Sequence, residues 1–138
     1  MGINGRLKEL INLVEEVETK GAVWFVDGTN GDDNYSGTDW AHAKATIQAA
    51  VTASSAGDTI KIAPKLMAAG ATDPNSYAET IIIPATKPNL KLTGVSYGRT
   101  QGGLPQISKG SGAVALLTLR APGCVIENLG FNGNSSTG

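Results

Sequence analysis

The sequence predicts a mainly β protein, a solenoid of short strands entered through two helices. Three observations predict it. From residue 59 onward, runs of about four or five β-branched and apolar residues recur between turns, many of them short. The 138 residues include 18 glycines, joined by many Ser, Thr, Asn and Ala and only 5% aromatics. That composition suits tight turns and close small-residue contacts. Ahead of the strands lie two stretches with helical spacing. Residues 1–21 read as an N-terminal amphipathic helix. Residues 22–138 read as a capping helix and the first coils of the solenoid.

Residues 5–20 read as a helix, and Ile3, Leu7, Leu10, Val14 and Val17 follow one another at steps of four, three, four and three. This is an a/d seam, widened by Ile11 and Leu13. So short a helix is marginal alone and needs a surface to pack on. That surface is its own domain, further copies of itself in a trimer, or a larger particle. Ala22 to Val26 reads as a strand of β-branched and aromatic residues, followed by a loop dense in turn formers from Asp27 to Gly37. A second helix is predicted over residues 43–54, with Ile47, Ala50, Val51 and Ser54 inward and Gly57 ending it.

Strands are then predicted at residues 59–63, 79–83, 90–93, 106–107, 115–119, 124–127 and 129–132. This spacing suits coils that each add short strands to stacked parallel sheets. Residues 65–77 form a longer connection, of a kind that solenoids accommodate as a side loop.

Composition and charge narrow the function. The net charge of −1 supplies no basic field for a nucleic-acid backbone. No apolar run is long enough to span a bilayer. Cys124, the single cysteine, has no intrachain partner and reads as a buried thiol. Residues 1–21 do not read as a secretory signal, because Lys8, Glu9, Glu15, Glu16 and Glu18 interrupt the apolar positions. The chain is therefore expected to be made in the cytoplasm and not exported by the general route.

Several residues are candidates for chemistry. Asp27, Asn30, Asp32 and Asp33 concentrate the hard oxygen ligands that calcium prefers. Their spacing departs from the EF-hand loop, and the same residue types fill ordinary turns. Tyr35 and Trp40 are candidates for stacking on sugar rings, with scaffold packing as the plainer alternative. His42 is the sole histidine and is expected to serve packing or the surface. Among the later charges, Glu79, Lys87, Lys91, Arg99, Lys109, Arg120 and Glu127 do not recur at matching coil positions. No catalytic residue is assigned.

The order of features resembles the pectate-lyase-like superfamily of right-handed parallel β-helices. The resemblance rests on Val23-Trp24-Phe25-Val26 with the loop after it and on the helix Ala45-Thr46-Ile47-Gln48-Ala49-Ala50-Val51. It continues through Gly57-Asp58-Thr59-Ile60-Lys61-Ile62-Ala63-Pro64 and Tyr77-Ala78-Glu79-Thr80-Ile81-Ile82-Ile83. The runs at residues 89–94 and 124–131 are similar to its repeating coils, so the resemblance spans about residues 22–134. It implies that the second helix caps the open end of the solenoid. No closing cap is evident near Gly138, so the chain is expected to be truncated at its C-terminal end.

Sugar-active members of that superfamily work outside the cell, which conflicts with the missing signal. Phage tailspikes, tail fibres and head fibres resolve the conflict, because they assemble in the cytoplasm and leave on the virion. The expectation is therefore a virion structural protein, homotrimeric, attached to other virion proteins through residues 1–21 and projecting its β-helix toward host polysaccharide. A truncated polysaccharide lyase or glycosidase, with its groove beyond residue 138, is one alternative. A bacterial surface adhesin is the other.

Overall fold

A computed structural model describes residues 21–66, 76–96, 103–109, 112 and 115–133. The helix predicted at residues 5–20 and the seam of Ile3, Leu7, Leu10, Val14 and Val17 lie outside them. The described chain is mainly β. Nine strands run in order: β1 (Val23–Val26), β2 (Thr59–Ile62), β3 (Ser76–Ala78), β4 (Ile81–Ile83), β5 (Lys91–Gly94), β6 (Gln106–Ser108), β7 (Leu117–Leu119), β8 (Val125–Glu127) and β9 (Gly130–Asn132). One α-helix, α1 (Ile47–Ala53), and a 3-10 turn, Trp40–His42, lie between β1 and β2.

The strands make three sheets, ordered β1-β2-β5-β8, β3-β6-β9 and β4-β7. Every strand pairing is parallel. From β2 onward the chain visits the first, second and third sheets in turn, then repeats that order. Register is kept between visits. Trp24, Ile60, Leu92 and Ile126 stand opposite one another across the first sheet. Tyr77, Ile107 and Phe131 do so across the second, and Ile81 and Leu117 across the third.

Alternation explains the burial. In β2 and β5 every second residue is buried, placing Ile60, Ile62 and Leu92 inward and leaving Thr59, Lys61, Lys91 and Thr93 on the outer face. The inward residues of all three sheets meet Ile47, Ala50 and Val51 of α1 in one apolar cluster. Each fully buried Ile or Leu contributes about 1.5–3 kcal/mol. Burial falls along the same ladders toward the last strands. Ile83 is fully buried but Leu119 beside it is 49% exposed, and Ile107 is buried beside a 45% exposed Phe131.

With seven residues, α1 is too short to persist alone and is held at both ends. Thr46 caps its start by accepting from Ala49 N. The Asp33 carboxylate accepts from Ala45 N, Thr46 N and Thr46 Oγ1. The Glu79 carboxylate accepts from Ile47 N and Gln48 N at 3.1 and 2.7 Å. Burial pushes the Glu79 carboxyl up, against the pull of those two N–H groups. At the other end the Lys87 ammonium donates to Val51 O and Thr52 O, where the helix dipole is negative.

Two edges are closed by this region. Ile82 in β4 points its N–H and C=O away from β7. The Gln48 amide satisfies both, accepting from Ile82 N at 2.7 Å and donating to Ile82 O at 3.3 Å. The outer edge of β1 is covered by Lys44, which exchanges hydrogen bonds with Phe25 O and Asp27 N, and by Gly37 O, which accepts from Phe25 N. Unpaired strand edges template association, so both devices protect the fold.

The helix starts later than the sequence predicts, at Ile47 and not residue 43. Ala43 and Thr46 are extended, because this stretch lends its backbone to β1. The strand predicted at 79–83 is β4, which begins only at Ile81. A further strand, β3, stands in another sheet at the end of the stretch predicted as a long connection, with the chain turning through Glu79 and Thr80 between them.

Tyr77 joins the second sheet to the loop after β1. Its buried hydroxyl donates to Ala63 O at 2.6 Å and accepts from Gly28 N at 2.9 Å. Tyr77→Phe is expected to cost about 2 kcal/mol, because it orphans both backbone groups. Burial, helped by the negative charges of Asp27 and Glu79, raises the phenol above its ordinary 10.0. The folded chain therefore holds this proton more tightly than the unfolded chain. The contribution is complete below about pH 10 and is lost as pH rises above it. Urea midpoints measured across that range are expected to fall more steeply for the wild type than for Tyr77→Phe. Parallel slopes would contradict this.

Candidate functional site: the outer face of the first sheet

The outer face of the first sheet carries two rows of side chains. One row is Phe25, Lys61, Thr93 and Glu127, the other Val23, Thr59, Lys91 and Val125. Strands lie about 4.8 Å apart, so each row spans about 14 Å from β1 to β8. Lys91 Nζ and Glu127 Oε1 form an ion pair at 2.9 Å, and Thr93 Oγ1 donates to the same carboxylate at 3.2 Å. The hydrogen bond from Lys91, then that from Thr93, holds the Glu127 carboxyl below its usual range. Lys61 is half-buried, and its ammonium has no hydrogen-bond or ion-pair partner among the described residues.

The loop after β1 adds aromatic rings to the β1 end of this face. It is fixed by short-range bonds. Asp27 accepts from Thr29 N, Asn30 N and Asn30 Nδ2. Asp32 accepts from Asn34 N and Asn34 Nδ2, and Lys44 Nζ donates to Asp33 O. Asp39 caps the 3-10 turn by accepting from His42 N. That turn lays Trp40 edge-on against Phe25, with ring centroids 4.8 Å apart. Trp40 remains 43% exposed.

Tyr35 is 42% exposed and packs against His42 with ring centroids 6.0 Å apart, while Trp40 packs against Phe25. The two candidate stacking residues thus share a loop but contact different rings. His42 lies at the surface, its Nδ1 2.8 Å from Asp39 Oδ1. The Asp39 carboxyl is held below its usual range, chiefly by the His42 side chain.

Of the candidate calcium ligands, Asp27 holds Asn30, whereas Asp32 and Asp33 serve Asn34 and the start of α1. Among the described residues no group of three or more His, Cys, Asp or Glu side chains gathers to hold a metal ion. No described helix is long and apolar enough to cross a membrane. A separate cavity of about 330 Å³ lies between α1 and β4, lined by Gln48, Val51, Thr52, Ile82, Pro84 and Lys87. Its Gln48, Thr52 and Lys87 side chains already bond to backbone groups. The polar row on the first sheet is the feature that sequence reasoning missed. The alternation in Thr59-Ile60-Lys61-Ile62 signals an outward Lys61, but only the pairing register puts it between Phe25 and Thr93. The same register brings Lys91 to Glu127, two charges with no matching position in the sequence.

Comparison with protein-family models, with curated proteins and with solved structures finds no match to this chain.

Proposed function

We propose that this chain forms the first coils of a right-handed parallel β-helix in a virion structural protein of the tailspike, tail-fibre or head-fibre type. It binds host-surface glycan on the outer face of its first sheet. The observation that carries the glycan reading is the exposed Trp40 ring, braced by Phe25 at one end of a flat row of hydroxyl and charged groups. Sugars present an apolar ring face and a polar rim, and such a row offers a partner to each. The solenoid reading is supported by the repeated visiting order of three parallel sheets in register. The seam of Ile3, Leu7, Leu10, Val14 and Val17 supports self-association or attachment at the N-terminus.

Two measurements test this. Light scattering is expected to give a trimer that becomes a monomer when residues 1–21 are deleted. A monomer in both forms removes the assembly role. Glycan-array binding is expected to weaken about tenfold in Trp40→Ala, the loss of one aromatic contact. Unchanged binding by a folded Trp40→Ala variant removes the stacking role.

A further inference from the structure

We infer that the outer face of the first sheet selects a mixed glycan, in which a neutral sugar stacks on Trp40 and the neighbouring sugar carries a carboxylate that pairs with Lys61. This rests on the glycan-binding reading above. The cross-strand neighbour of Phe25 is Lys61, so its backbone lies one strand spacing, about 4.8 Å, from that of the residue that braces Trp40. Its ammonium has no hydrogen-bond or ion-pair partner among the described residues. The other lysine on these two rows, Lys91, is already neutralised by Glu127.

The acidic group sits at the far end. Glu127 occupies the same row as Lys61, two strands further on, and is exposed. Its carboxylate is already held by Lys91 and Thr93, so that end offers no free cation to a second carboxylate on the ligand. Between Lys61 and Glu127 stands Thr93, whose hydroxyl donates to Glu127 and keeps its lone pairs to accept from a neutral sugar. From β1 to β8 the row therefore reads aromatic ring, cation, and a hydroxyl and carboxylate tied to Lys91. A uniformly acidic polymer fits that order poorly. A chain alternating neutral and acidic sugars fits it well.

The test uses three probes in calorimetric titrations of the full chain: hyaluronan tetrasaccharide, its carboxyl-reduced derivative, and tetragalacturonate. Hyaluronan tetrasaccharide is expected to bind most tightly. Lys61→Gln should weaken it about fivefold, the upper end for an exposed ion pair. The same change should leave the carboxyl-reduced derivative unaffected. Glu127→Gln should strengthen tetragalacturonate, because it releases Lys91 to pair with a second carboxylate. Equal effects of Lys61→Gln on the acidic and reduced tetrasaccharides overturn the assignment, as does tetragalacturonate binding as tightly as hyaluronan. Trp40→Ala separates the two readings. If it weakens every probe while Lys61→Gln changes none, the glycan surface stands and the acid selectivity falls. If no probe binds, both fall.

Discussion

Asp58→Ala is expected to destabilise the fold by about 3 kcal/mol, seen as a lower urea midpoint by tryptophan fluorescence. Asp58 is buried and accepts three hydrogen bonds, from Ala22 N at 2.8 Å, Trp24 Nε1 at 2.8 Å and Ser55 N at 2.7 Å. The first two donors belong to β1 and the segment entering it, the third to the segment leaving α1. One carboxylate thus ties the β1 strand to the turn that leads into β2. Removing it leaves donors that cost about 1–3 kcal/mol each when buried, less where water reaches them. Ala22 and Ser55 are exposed enough to rehydrate, whereas the indole N–H of Trp24 is partly buried against the core. Most of the loss is therefore assigned to Trp24. Asp58→Asn keeps one acceptor oxygen and is expected to fall between the two. A change below about 1 kcal/mol in Asp58→Ala would contradict this role.

Gly94→Ala is expected to cost at least about 2 kcal/mol, read from the same midpoint. Gly94 ends β5, on the inward ladder beside Ile62. A Cβ built there runs into the backbone oxygen of Asn128 and lies 2.9 Å from Pro105 Cδ. The first obstacle is backbone, so relief requires moving the end of β8 and not a side-chain rotation. Gly57→Ala is a useful comparison. Gly57 has φ +81° but open space around its Cβ direction. It should lose only the backbone preference, about 1 kcal/mol. If Gly94→Ala costs no more than Gly57→Ala, the close approach of β5 to Asn128 is not a constraint on the fold.

Much of the fold was legible because alternation is a strong local signal. Thr59-Ile60-Lys61-Ile62 and Lys91-Leu92-Thr93-Gly94 show it plainly, and both are strands. Short elements beside long connections were less legible. Ser76–Ala78 is a strand because Tyr77 stacks beside Ile107, and three residues carry too little pattern to reveal that. The start of α1 was misplaced because Ala43 and Lys44 look helical by composition, but Ala43 is extended and Lys44 pairs with β1. The aromatic part of the candidate site was legible as Tyr35 and Trp40 in a turn-rich loop. The polar part was not, because register decides which outward residues become neighbours. Lys61 gains its meaning from Phe25 and Thr93, which lie far from it in sequence.

The central claim is that glycan binds the outer face of the first sheet, and its most direct test is an NMR titration of the isotope-labelled chain with hyaluronan tetrasaccharide. The expected result is a footprint on the Trp40 indole, the amides of Phe25, Lys61 and Thr93, and the loop around Tyr35 and His42. Ile60 and Leu92, on the inward face, should stay silent. A footprint centred on Val51, Ile82 and Lys87, or no shift at any concentration, would contradict the claim.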